Sequence, residues 1–264
     1  MAHPIHTGWY QPEPTRVAPR DPPPGWTMAP ATPAEQSRIR FEVLVMLLLA
    51  GIPGFIIGLE GINDPTTIST DVGTLELVAM VASAAGPAAL AYHFLWRDKR
   101  LGVAGFARRP PLFVLGHGIL GLVVVYLALF GTAMLAGSLY VAFGGDIDNL
   151  TPEDDDPGGV ALTVPSLAVA YVISLTAGVT EEVVYRAYAI TRLEELGWRR
   201  AAYLVPGAIF TLLHLYQGVR AVVLIGAITV AFTWLFRWKR SIWPVMLAHA
   251  LFDGVQFTIA AAAS

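Results

Sequence analysis

No cysteine occurs in the 264 residues, which excludes a disulfide framework, a thiol nucleophile and a thiolate metal site. Charge is scarce as well: 14% of residues are charged, against about 25% in an ordinary soluble domain. Lysine is nearly missing, with Lys99 and Lys239 the only two among 17 basic residues. That bias, beside the richness in Ala, Gly and Pro, is the usage of a GC-rich, bacterial genome. The net charge of −3 is too small to indicate a nucleic acid or an acidic partner. What remains is apolar, with 55% hydrophobic residues and a mean hydropathy of +0.57. The expected solvent is a lipid bilayer.

The first 35 residues are a different material. Nine of the 19 prolines fall between Pro4 and Pro33, and no apolar period there builds a core. The expectation is a disordered cytoplasmic tail over residues 1–35 and a membrane domain over 36–264. Trp9, Tyr10 and Trp26 read as aromatics touching the membrane surface in preference to a docking peptide. No apolar run precedes Phe41, so a cleaved leader is not expected and the first run should act as an uncleaved span.

From Phe41 the apolar runs can be counted against the ~20 residues that cross the hydrocarbon. Seven are found, at about 41–59, 75–96, 111–143, 164–190, 201–215, 221–236 and 242–263, with an eighth element if the third breaks near Gly131 or Gly137. The fold class is an all-α polytopic membrane bundle. Basic residues cluster before the first run and after the second, fourth and sixth, as at Arg38, Arg97, Arg192 and Arg237. Since cytoplasmic loops carry the excess of Lys and Arg, the N-terminus is expected inside and the C-terminus outside a cell membrane. The acidic stretch from Asp146 to Asp156 then lies outside. As a calcium loop it fails, because its fifth and sixth positions are Leu150 and Thr151, where an oxygen ligand and a glycine are needed.

Into three of the last four runs the chain inserts ionisable groups, which cost at least ~2.5 kcal/mol at bilayer depth and so mark a site. In Glu181-Glu182-x-x-x-Arg186 the residues four apart share a helix face, so Glu182 and Arg186 should pair. Glu181 points about 100° away and is left as a candidate general base. Gly197 is a plausible helix end; Glu181 lies 16 residues before it and His214 17 after. Antiparallel helices would bring those two level, with Phe210 packed on the His214 imidazole. His249 and Asp253, one turn apart, can share a hydrogen bond that fixes the imidazole tautomer, freeing the other nitrogen for an oxyanion. A structural ion network, an interfacial histidine and helix stitching are the respective plain alternatives. His93 and His117 read as interfacial, and Gly54 and Gly58 as helix packing.

Together, E-E-x-x-x-R, F-x-x-x-H and H-x-x-x-D, in this order on successive apolar helices, resemble the CPBP family. These are intramembrane proteases related to type II CAAX prenyl endopeptidases and to bacteriocin-immunity proteins. The resemblance covers about Val164 to Ala263. It implies a peptide hydrolase with no required metal or cofactor, acting on membrane-associated protein or peptide substrates. In that reading Glu181 activates water, His214 assists, and His249 with the residue at 253 stabilises the oxyanion; Glu182, Arg186 and Phe210 support them. Asp253 departs from the Asn typical of eukaryotic CAAX-processing relatives, and donates a hydrogen bond only when protonated. Two other readings of the same residues stay open: a zinc metalloprotease, since two histidines and a carboxylate are a common ligand set, and a non-catalytic scaffold or immunity-type protein.

The charge pattern makes the first prediction. Because the chain lacks cysteine, single cysteines placed at Asp155 and Arg199 can be labelled cleanly with an impermeant maleimide. Intact cells should label at 155 and not at 199; the reverse pattern overturns the orientation.

Overall fold

The computed structural model describes residues 31–63, 74–146 and 166–263, and the backbone alone at 53–63, 74, 76, 216 and 263. Trp9, Tyr10, Trp26, the acidic stretch from residue 147 onward and the surroundings of Gly54 and Gly58 lie outside what is described. Among the described residues the protein is all helical: α1 (Pro33–Asn63), α2 (Thr74–Arg97), α3 (Pro111–Ala142), α4 (Leu167–Glu195), α5 (Ala201–Leu212), α6 (Gly218–Lys239) and α7 (Trp243–Ala263). Inside α4, two α-helical pieces, Leu167–Glu181 and Thr191–Glu195, are joined by a π-helical stretch, Glu182–Ile190.

Local sequence explains the ends. At α1, Glu35 accepts from the Thr32 backbone N–H at 2.8 Å and from its hydroxyl at 2.6 Å. This is half of a capping box, with Pro33 at the first helical position. A proline also opens α3, where the missing N–H costs nothing. That helix runs unbroken through Gly131 and Gly137, so the eighth element anticipated there does not form.

Among the described residues, five helices are long and apolar enough to cross a bilayer: α2 from Leu77, α3, α4, α6 and α7. The fifth apolar run is shorter than anticipated. Its 12 helical residues rise about 18 Å, well short of the ~30 Å of hydrocarbon. A 3₁₀ turn at Leu215–Gln217 and Gly218, with φ of 89°, then reverse the chain into α6. At α1, Glu35, Arg38, Arg40 and Glu42 occupy the opening turns.

The most extensive helix–helix packing is that of α7 against α4 and against α3. The α4–α7 contact is backbone to backbone at Gly178: a Cβ there would sit 2.7 Å from the Ala250 nitrogen. Only glycine allows that approach, and it sets the spacing of the ionisable residues that follow on α4 and precede on α7.

At the end of the bundle bearing the basic residues, a buried ion network ties α1, α2 and α4. Arg192, 1% exposed, donates to Asp98 at 2.7 Å, to Glu195 at 2.8 Å and to the Phe94 carbonyl at 2.9 Å. Arg97 bridges Asp98 and Glu42, Arg38 reaches both, and Arg100 holds Glu195. The backbone N–H of Ala31 donates to the Glu195 carbonyl, drawing the start of α1 onto the end of α4. A second clasp joins Arg240, past the end of α6, to Glu194, which also accepts from Tyr203 of α5.

Burial alone would raise the Asp98 carboxyl, but hydrogen bonds from Arg97 and Arg38 and the charge of Arg192 outweigh it and hold it well below the usual carboxylate range. A carboxyl depressed on folding adds stability that is present above its unfolded pKa of about 4 and is lost as the pH falls below it. Arg192→Met should therefore cost ~3 kcal/mol by removing the buried cation that joins Asp98, Glu195 and the Phe94 carbonyl, read as a lower unfolding midpoint in detergent. The wild-type advantage should shrink as the pH falls below 4; an unchanged midpoint contradicts the clasp.

Candidate active site

The π-helical stretch of α4 carries the site, and all nine of its residues are buried. A π turn is wider than an α turn and is found mostly at functional positions. Glu181 is the last α-helical residue before it. Glu182 and Arg186 pair within it at 2.9 Å, exposed by 0% and 1%. The Arg186 guanidinium lies 4.6 Å from the centre of the Phe210 ring and 5.8 Å from that of Phe232, close enough for both π faces to hold the cation.

Across the Gly178 contact, His249 of α7 completes this pair. Its Nδ1–H donates to Glu182 Oε1 at 2.8 Å, and its ring stacks on Phe232 with centroids 4.9 Å apart. That bond corrects the anticipated His249–Asp253 hydrogen bond. His249 Nε2 stands 3.5 Å from Asp253 Oδ2 and 3.7 Å from Glu181 Oε2, ion-pair distances outside hydrogen-bond range. Glu182, a neighbour through tertiary packing, fixes the ring in place of Asp253, its neighbour in sequence. The consequence is chemical: Nε2 is uncommitted and flanked by two carboxylates.

These two carboxylates differ from Glu182 in access. The Glu181 side chain keeps 31% of its surface accessible and Asp253 24%, while Glu182 has none. Glu182 is consumed by Arg186 and His249; Glu181 lies where a small molecule can meet it.

His214 enters from the end of α5. Its Nδ1–H donates to the Phe210 carbonyl at 2.8 Å, which fixes the tautomer with Nε2 as acceptor. Phe210 links the two histidines, its ring 4.8 Å from His214 and 6.4 Å from His249. Tyr185 packs edge-on against the same ring at 5.2 Å. His214 is thus within electrostatic reach of His249 and Arg186. The structure gathers Glu181, Glu182, Arg186, His249 and Asp253 in direct contact, and His214 through Phe210.

His93 and His117 stand apart. His93 neighbours Phe94 and Trp96, and His117 packs between Phe113 and Trp238 with its Nδ1–H on the Phe113 carbonyl. Among the described residues no group of three or more His, Asp or Glu is arranged to hold a metal ion.

The sequence missed the Glu182–His249 bond because a local i,i+4 partner was at hand, and periodicity alone ranks local partners first. It also missed the buried clasp around Arg192, whose only signal is four acids, Glu42, Asp98, Glu194 and Glu195, set among the basic flanks.

The buried Glu182–Arg186 charge pair makes a measurable prediction. Glu182→Gln and Arg186→Met should each lower stability by about 3–5 kcal/mol, because each strands a partner. The double variant should cost less than the sum, measured as unfolding midpoints in detergent. Additive losses would show that the pair does not act as a unit.

Neither a curated relative nor a solved structure matches the chain. Residues 163–255, from the approach to α4 to past Asp253 on α7, match the family described as type II CAAX prenyl endopeptidase Rce1-like. All of the residues gathered above fall inside that match. The part of the chain that holds this cluster is therefore similar to the Rce1-like family of type II CAAX prenyl endopeptidases, within a chain whose described residues include five helices long and apolar enough to cross a membrane.

Proposed function

We propose that the protein is an intramembrane endopeptidase that hydrolyses peptide bonds of membrane-associated proteins or peptides by glutamate-activated water. The observation that carries this reading is the division of labour between adjacent carboxylates: Glu182 bound by Arg186 and His249, Glu181 accessible beside the uncommitted Nε2 of His249.

Glu181 takes a proton from a water that the His214 Nε2 lone pair helps to hold, and the hydroxide adds to the scissile carbonyl carbon. The resulting oxyanion accepts from the Nε2–H of His249 in its imidazolium form, aimed by Glu182 on the opposite nitrogen. The C–N bond then breaks as Glu181 returns the proton to the leaving amine, and a new carboxylate and amine depart. Ionised Asp253 serves here as a counter-charge to the imidazolium, a task an Asn would perform less well. The catalytic core spans about residues 164–263. The basic loops at its edge support an opening on the cytoplasmic side, in a bacterial plasma membrane.

Peptide cleavage by the purified protein in liposomes, against a library of membrane-protein segments, tests this reading. Glu181→Gln should lower the rate by about 10²–10⁴ and His249→Ala by about 10²–10³, with activity surviving chelators. Intact cleavage in both variants overturns the roles assigned. Loss on chelation moves the case to zinc, and absence of cleavage with a partner still bound by Glu181→Gln moves it to a scaffold.

A further inference from the structure

Between α2 and α3 the chain makes a single π turn, Gly102–Phe106, in which Val103, Ala104 and Gly105 are buried. This turn is pinned to the start of α7. The Ile242 N–H donates to the Gly105 carbonyl at 3.0 Å, and the Trp243 indole N–H donates to the Ala107 carbonyl at 3.2 Å. Gly105 has φ of 89°, and a Cβ on it would lie 2.8 Å from the Ile242 nitrogen. The link is thus a fixed element rather than a slack loop.

Beside this turn opens a pocket of about 330 Å³ lined by Tyr92, Leu101, Phe106, Arg108 and Trp243. Phe106 stands edge-on to Tyr92 at 5.3 Å and to Trp243 at 6.0 Å, which gives the cavity rigid walls. Tyr92 and Trp243 are 44% and 39% exposed at the ends of membrane-spanning helices, where such rings sit at headgroup depth. Arg108 at its mouth is exposed and has no ion-pair or hydrogen-bond partner among the described residues. That sets it apart from Arg97, Arg100, Arg186, Arg192 and Arg240, each of which is held by a carboxylate.

We infer that this pocket binds an anionic phospholipid, its phosphate on Arg108 and its glycerol region against Phe106 and Trp243. Three features select this occupant. The cation is unspent, so an acidic headgroup is preferred to a zwitterionic one. The walls are aromatic at headgroup depth, suited to the junction of headgroup and chain. The volume takes a headgroup and glycerol, leaving the acyl chains in the surrounding hydrocarbon. The proposal is independent of the peptidase reading, since it uses none of the residues around Glu181.

The test is native mass spectrometry of the full-length protein released from mixed micelles of phosphatidylglycerol and phosphatidylcholine. Wild type should retain one phosphatidylglycerol at saturation. Arg108→Gln should lower the preference for it over phosphatidylcholine about fivefold, Arg108→Lys should keep most of it, and Arg40→Gln, at another exposed arginine, should leave it unchanged. Glycerol phosphate added in excess should fail to displace the lipid; displacement would show that the site reads the free headgroup. Equal retention of both lipids, or a preference unaltered by Arg108→Gln, overturns the inference. Quenching of tryptophan fluorescence by brominated phosphatidylglycerol, diminished in Trp243→Phe, gives a readout that does not depend on Arg108.

Discussion

A carboxylate, a guanidinium and an imidazole buried together in a membrane bundle must satisfy one another, because hydrocarbon offers them nothing. The Glu182–Arg186–His249 set does so in part, through one ion pair and one charge-assisted hydrogen bond that both meet Glu182 Oε1 and through the faces of Phe210 and Phe232, while Glu182 Oε2 and one Arg186 amino group are buried without a hydrogen-bond partner among the described residues. The rest of the domain is built to make those contacts possible. Gly178 lets α4 and α7 touch, the π-helical stretch sets Glu182 and Arg186 inward together, and α5 ends where Phe210 and His214 reach the same ring system. Stability and chemistry are therefore coupled: the group most costly to bury, Glu182, orients the histidine beside the accessible Glu181.

A second layer of charge lies at the end of the bundle that carries the basic residues. There Arg38, Arg97, Arg100, Arg192 and Arg240, part of the surplus of arginine that orients a membrane protein, are paired by Glu42, Asp98, Glu194 and Glu195. These bonds hold α1, α2, α5 and the C-cap of α6 onto the end of α4, so the short α5 is anchored from both sides. An arginine left outside that pairing, Arg108, stands at the aromatic pocket instead.

Composition and apolar run length identified a helical membrane bundle, because bilayer thickness and backbone hydrogen bonding leave few alternatives. The Glu182–Arg186 pair was also legible, since it depends on helix periodicity alone, and so was the packing of Phe210 on His214. Two features were not. The α5 run reads as a span by hydropathy, yet its helix ends after 12 residues. The partner of His249 is set by a helix crossing that a local pattern does not encode. An i,i+4 spacing shows that Asp253 can reach His249; only the approach at Gly178 decides that Glu182 arrives closer. The π-helical geometry was equally silent, since no residue type specifies it.

The central claim is that Glu182, rather than Asp253, orients His249 and thereby leaves Nε2 free. Nitrogen-15 NMR of the His249 imidazole, assigned with His249→Gln in histidine-labelled protein, reads that bond directly. The account predicts that the Nδ1 resonance shifts markedly in Glu182→Gln and is nearly unmoved in Asp253→Asn. An Nδ1 resonance that follows Asp253 and ignores Glu182 would contradict it.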